Sequence, residues 1–231
     1  MSIAENVATI KAKIREAAIA AGREPSQIKL CAATKMNDAD AVRQAIAAGV
    51  DLCGENRVQE LVQKSAENAY TGAPVHFIGH LQTNKVRQVV GKVDLIQSVD
   101  RMKLLTAIQD EAARQGITQN ILLQVNIGNE DSKGGFTVAE IWEVLEQLPD
   151  FPNIFVCGLM AIPPISQNPG DNCKFFREMY NLSVDITAKK RNNVCMDTLS
   201  MGMSDDFADA IACGSTMIRI GTAIFGPRNY T

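Results

Sequence analysis

Apolar positions along this chain follow two alternating rhythms. Near-continuous apolar runs occupy 28–34, 51–55, 75–79, 94–98, 120–127, 154–162, 196–200 and 216–221. Short runs of this kind between polar turns predict strands, and strands apolar on both sides are covered on both faces. Between several of them the period changes to three and four. Segments 38–49, 102–116 and 138–148 each carry an apolar stripe at that spacing, which predicts amphipathic helices. Asp38 and Thr137 stand where N-caps belong, and Gly49 and Gly116 where C′ residues belong. A further helix is predicted at the start, where Ile3, Val7, Ile10, Ile14 and Ala18 share one face and Gly22 ends the pattern.

Strands alternating with helices imply parallel pairing. Eight strands in 231 residues is one βα unit per roughly 29 residues, close to the (β/α)8 figure of about 250 in total. The expected fold is therefore an α/β protein, a single TIM-like (β/α)8 barrel with an additional N-terminal helix. The tail "TAIFGPRNYT" is too short and too broken by Gly and Pro for a long eighth helix. The N-terminal helix would supply that segment of the outer ring. No Pro/Gly/Ser linker divides the chain, so residues 1–231 are read as one domain; 162–172 is the most loop-like stretch. A doubly wound open sheet fits the same alternation.

Composition narrows the function. A net charge of -3 leaves no electrostatic footprint for nucleic acid or anionic membrane. No apolar run approaches the roughly 20 residues of a spanning helix. Charges interrupt the N-terminus throughout, unlike a signal peptide. The six cysteines form no C-x-x-C pair, and two unclustered histidines give no zinc spacing. Together these point to a reducing, cytoplasmic compartment.

In a βα barrel, function collects at the C-terminal ends of the strands. Lys35 ends the first predicted strand and Glu55-Asn56 the second. His80 follows the third, Asn126 comes late in the fifth, and Met160 ends the sixth. Ser200 to Ser204 follow the seventh, and Arg219 to Thr222 close the eighth. Gly202 turns the chain into a helix expected to start near Ser204, and Gly221 and Thr222 form a second turn. Loops after strands seven and eight are the customary phosphate cradle of this architecture. Ser204 also reads as a plain N-cap, Asn56 with Gln59 as a capping pair, His80 as the start of a capped helix, and Met160 as core filler. Lys35 reads either as a lysine snorkelling at the rim or as a desolvated amine able to form a Schiff base. The second reading leaves two chemistries open: an aldolase-like lysine acting on a sugar phosphate, or pyridoxal phosphate held as an internal aldimine.

The segments "ATKMN", "GENRVQE", "HFIGHLQTNK", "GLMAI" and "TLSMGMSDDFADAIACGSTMIRIGTAIFG", in this order, resemble the pyridoxal-phosphate homeostasis protein family. Members of that family look like a stand-alone barrel domain of alanine racemase. The resemblance runs from about residue 5 to residue 230. It implies that Lys35 is the cofactor lysine and that Ser204, Gly221 and Thr222 form the phosphate site. Arg219 would face the pyridine nitrogen, Asn56 and Met160 would line the pocket, and Ser200 joins them in the cofactor-binding set.

The family likeness further implies cofactor buffering or delivery with little turnover, apo pyridoxal-phosphate enzymes being the candidate partners. An arginine at the ring nitrogen disfavours ring protonation and weakens the electron sink. In the racemases, the resemblance implies, the second base is a tyrosine from a second domain of the partner subunit; no such domain is expected here, and tyrosines 70, 180 and 230 are expected away from the rim. Without that domain a monomer is expected. A weak racemase or transaminase, and an interaction protein stabilised by the cofactor, are the alternatives. Lys133, in "NEDSKGG", is a second amine near the rim.

Overall fold

A computed structural model describes residues 1–130, 133–165 and 168–226. The strands are β1 (Lys29–Ala33), β2 (Leu52–Glu55), β3 (Val75–Phe77), β4 (Leu95–Val99), β5 (Gln119–Val125), β6 (Ile154–Ala161), β7 (Val194–Ser200) and β8 (Met217–Ile220). Each pairs in parallel with its sequence neighbours, and β8 closes on β1, giving a barrel in the order β1 to β8. The helices are α1 (Ile3–Ala20), α2 (Ala39–Ala47), α3 (Val58–Ala66), α4 (Met102–Gln115), α5 (Val138–Gln147), α6 (Cys173–Ala188), α7 (Phe207–Ala212) and α8 (Thr222–Phe225). Between β3 and β4 the crossover is a single 3-10 segment, Thr83–Gln88. No helix among the described residues is long and apolar enough to cross a membrane.

Local chemistry sets the helix ends. Asp38 accepts a hydrogen bond from Ala41 N, and Thr137 forms a reciprocal capping box with Glu140. Ser2 and Glu5 make the same box at the start of α1, a signal present in the sequence and passed over there. At the C-termini, Gly22, Gly49 and Gly116 each follow the last helical turns, with paired bonds back into the helix such as Arg23 N to Ala18 O at 2.9 Å.

Strand alternation sorts side chains to two sides of the wall. Outward residues such as Ile96, Ile121, Leu123, Val156 and Leu159 join α4, α5 and α6 in the main core. Leu30, Ala32, Ile218 and Ile220 face outwards from β1 and β8 and are covered by Val7, Ile10, Ile14 and Ala18 of α1. The N-terminal helix thus occupies the place in the outer ring that the four-residue α8 leaves open. Each large apolar side chain of that stripe contributes about 1.5–3 kcal/mol by burial, an upper figure because the unfolded chain is partly collapsed. Inward residues form two small apolar groups, Cys31, Leu52, Ile78 and Met217 in one and Leu95, Leu122 and Met160 in the other. Between them the interior is polar, and it leads up to the C-terminal rim.

Candidate functional site

β1 delivers Lys35 to the rim by simple alternation. Cys31 and Ala33 face the interior, Ala32 and Thr34 face outwards, and Lys35 falls on the inner side again. The backbone around it is clamped from outside. Lys64 Nζ donates to Thr34 O at 2.8 Å, and Met36 N donates to Glu60 Oε2 at 2.7 Å. Lys64 also pairs with Glu55 Oε1 at 2.6 Å, and Thr34 Oγ1 donates to the same oxygen. Glu55 is fully buried and Lys64 only 5% exposed, so this is a desolvated ion pair held by added hydrogen bonds. Asn37 Nδ2 closes the turn on Lys35 O at 3.0 Å. Met36 takes a left-handed conformation, φ +61°, uncommon for a side chain of its size.

β8 sets the neighbouring wall. Arg219 is paired in register with Cys31 and faces inwards, 6% exposed. Its Nη1 donates to Ser200 O at 2.8 Å and to Ser200 Oγ at 2.6 Å, and its Nη2 donates to Ala161 O at 2.9 Å. Burial lowers the pKa of the guanidinium, yet an arginine stays protonated in proteins. None of the ion pairs among the described residues includes it. Past Arg219 the chain turns at Gly221 into α8. Thr222 and Ala223 open that helix, where the first N–H groups have no intrahelical acceptor.

The second loop comes from β7. Gly202 has φ +97°, and a Cβ there would lie 2.6 Å from Ala210 Cβ, so only glycine fits the turn. Asp206 pins the loop: its Oδ1 accepts from Met203 N at 2.7 Å and its Oδ2 from Asn172 Nδ2 at 2.8 Å. The helix therefore begins at Phe207, with Asp206 in the N-cap place, rather than near Ser204. Ser204 is a half-buried turn residue three positions earlier.

Lys35, Asn56, Arg219, Ser204, Gly221 and Thr222 line one cavity of about 620 Å³, together with Ala33, Ile78, Ile162, Met203, Asp205 and Ala223. Asn56 caps nothing: α3 starts at Val58, and Asn56 Oδ1 is buried without a hydrogen-bond partner among the described residues. An orphaned buried oxygen on a cavity wall marks a place for a ligand donor.

Two residues from the sequence set lie elsewhere. Ser200 is fully buried beneath Arg219, its hydroxyl taken up by Gln97 and Arg219, and Met160 packs with Leu95 and Leu122 inside the barrel. Strand alternation explains the miss, since Ile162, two residues beyond Met160, is the next inward position and is the one on the wall. Ile78 is reached in the same way from His76. His80 starts no helix; its Nδ1 lies 3.2 Å from Asp100 Oδ2. With Lys133, Asn126 and Gln124 it lines an adjoining cavity of about 260 Å³ that shares Asn56, Ile78 and Ile162 with the first. Lys133 Nζ is held there by Pro163 O at 2.9 Å. Tyr70 is buried in the outer core and Tyr180 lines a groove with Arg23 and Gly214; neither is on the cavity wall, and Tyr230 lies outside the described residues.

Lys35 and Arg219 thus reach one cavity at the mouth of a closed parallel barrel from adjacent strands. The model of the alanine racemase N-terminal domain matches residues 2–229. Alanine racemase from Streptomyces coelicolor shares the fold, with a TM-score of 0.72 at 20% identity over 99% of this chain and 59% of that one. Within that class the pyridoxal phosphate homeostasis proteins match end to end. Those of Aquifex aeolicus and Pseudomonas aeruginosa are 40% and 42% identical, over 100% and 99% of this chain and 100% and 97% of theirs. PipY of Synechococcus elongatus, solved with PLP bound, superposes with a TM-score of 0.83 at 31% identity, covering 97% of this chain and 100% of its own. The chain belongs to the pyridoxal phosphate homeostasis protein family.

Proposed function

We propose that this barrel binds pyridoxal 5'-phosphate at the 620 Å³ cavity and serves as a reservoir or carrier for it. The observation that carries the reading is the convergence of Lys35 and Arg219, from adjacent strands, on one cavity that also holds the orphaned Asn56 oxygen. When bound, the cofactor supplies an aldehyde that condenses reversibly with a primary amine. Lys35 offers that amine, on a backbone fixed by Lys64 and Glu60. Arg219 brings a cation with no carboxylate ion-pair partner among the described residues, suited to an anionic ligand and to an unprotonated ring nitrogen. Ser204, Gly221 and Thr222 meet the phosphate with a hydroxyl pair and the open N–H groups at the start of α8. Thr222 is exposed and Ser204 half-buried, so this end of the cavity communicates with solvent, as exchange of a cofactor requires. Among the described residues no tyrosine lines the cavity to act as a second base, which supports transfer over turnover.

The first test is Lys35→Ala. The variant is expected to lose the visible absorbance of the bound cofactor and the borohydride-fixed label. If it retains both at the wild-type level, Lys35 is misassigned; peptide mapping separates label at Lys35 from label at Lys133. Amino-acid turnover at about 1–10³ per second would replace the carrier reading by an enzymatic one. Activation of an apo-enzyme by the loaded protein, beyond that given by free cofactor, supports delivery.

A further inference from the structure

A continuous polar chain crosses the barrel interior below Arg219. Gln97 Nε2 lies 2.9 Å from His76 Nδ1, Ser200 Oγ donates to Gln97 Oε1 at 2.7 Å, and Arg219 Nη1 donates to Ser200 Oγ at 2.6 Å. The four residues come from β3, β4, β7 and β8, and none is more than 7% exposed. Burial pushes His76 down to about 4, with Asp94 opposing by less, so the imidazole is neutral and its Nδ1 can accept. The direction of every bond then follows. With Nδ1 as acceptor the Gln97 amide turns its N–H₂ to His76 and its oxygen to Ser200. The Ser200 proton goes to that oxygen, which leaves the hydroxyl lone pairs for Arg219. Reversing the amide would put a second donor on Ser200 Oγ and deprive the hydroxyl proton of its acceptor. The arrangement shown satisfies each group, the condition on which a buried network is stable.

We propose that Gln97, braced by His76, is a positioning residue that fixes the Arg219 guanidinium through Ser200 for a ring nitrogen that must accept a hydrogen bond. Three of the five N–H donors of Arg219 are spent on Ser200 and Ala161, so the plane of the group is set and the remaining donors serve the cavity. The proposal rests on the pyridoxal phosphate reading and goes beyond it by assigning ring-nitrogen selectivity to a side chain that does not touch the cavity.

The test uses the full chain, pyridoxal phosphate, and its 1-deaza analogue, in which C–H replaces the ring nitrogen. Gln97→Met keeps the side-chain length and removes both polar ends. Ser200→Ala removes only the hydroxyl and serves if the first variant folds poorly. Both variants are expected to bind pyridoxal phosphate about tenfold more weakly, the effect of one buried bond to a charged group. Their absorption maximum for the bound cofactor is also expected to move. Binding of the deaza analogue is expected to change less than threefold from the wild type. Equal losses for both ligands would show a merely structural role and overturn the proposal, as would no loss for either. Failure of the wild type itself to fix pyridoxal phosphate at Lys35 would overturn the cofactor reading beneath it, a result distinct from the other two.

Discussion

Two polar clusters stand on opposite sides of the strand wall, and each steadies one of two basic residues that line the cavity, Lys35 and Arg219. Outside, between β2 and α3, Lys64 pairs with Glu55 and Glu60, and Lys64 and Glu60 hold the backbone on either side of Lys35. Inside, the uncharged series His76, Gln97 and Ser200 ends on the Arg219 guanidinium. The outer cluster sets its lysine against two carboxylates, Glu55 and Glu60, and spends that charge within itself. The inner one opposes its cation with neutral acceptors alone, so the positive charge stays available to a ligand. A buried ion pair is suited to holding backbone; a neutral relay is suited to aiming a charge without cancelling it.

If that contrast is right, the largest effect comes from unbalancing the outer pair. Lys64→Met strands Glu55, which is 0% exposed, and a single-partner loss of this kind costs about 3–5 kcal/mol. Urea unfolding is expected to show that loss. Adding Glu55→Met is expected to restore most of the stability, because an apolar pair of similar volume avoids the desolvation penalty. The double variant still lacks the bond to Thr34 O, so its borohydride labelling at Lys35 should stay below wild type. Full recovery of both would show that the pair stabilises the fold without placing the lysine.

Acid separates the clusters next. His76 in the folded chain titrates at about 4, against about 6.5 when unfolded. Between those values the unfolded chain binds the extra proton, so stability falls as pH drops from about 6.5 to about 4 and this contribution is flat below. The span corresponds to about 3 kcal/mol. His76→Gln is expected to remove that part of the slope in urea midpoints measured across the window. An unchanged slope would mean that the imidazole is charged in the folded state, against the bond directions drawn for the relay.

Much of this was legible in the chain, and the failures share a cause. The eight strands fall within the apolar runs or a residue or two of them, because a strand covered on both faces needs such a run whatever its partners. Lys35 and Arg219 were legible as cations closing strands. Ser200 and Met160 were placed one layer too high, since a sequence shows that a residue ends a strand and not how far the wall rises above it. The α7 start was misread because Ser204 lies in a turn that Asp206 holds through Met203 N and Asn172, so the helix waits until Phe207. Lys64 gave only an i,i+4 spacing from Glu60, ordinary for any exposed helix; nothing local says that it reaches Thr34. Gln97 sits among apolar neighbours in "LIQSV", and a lone polar residue in a core run was the available signal for the relay.

The smallest effect concerns Met36, which follows the clamped lysine at φ +61° with its side chain 44% exposed. A left-handed residue with a Cβ costs about 1–2 kcal/mol, and the clamp from Glu60 to Met36 N supplies a reason for the conformation to persist. Met36→Gly removes that cost and gives back part of it through a more flexible unfolded chain, a term of about 0.4–1 kcal/mol. The net expectation is a gain of up to about 1 kcal/mol, seen as a rise of about 2–4 °C in Tm for a chain of this size. Met36→Val, branched at Cβ, is expected to shift Tm the other way. Labelling at Lys35 should be unchanged in the glycine variant, because Glu60 holds a backbone N–H that glycine also has. A glycine variant with lower Tm and weaker labelling would mean that the methionine side chain, rather than the backbone bond, holds the lysine in place.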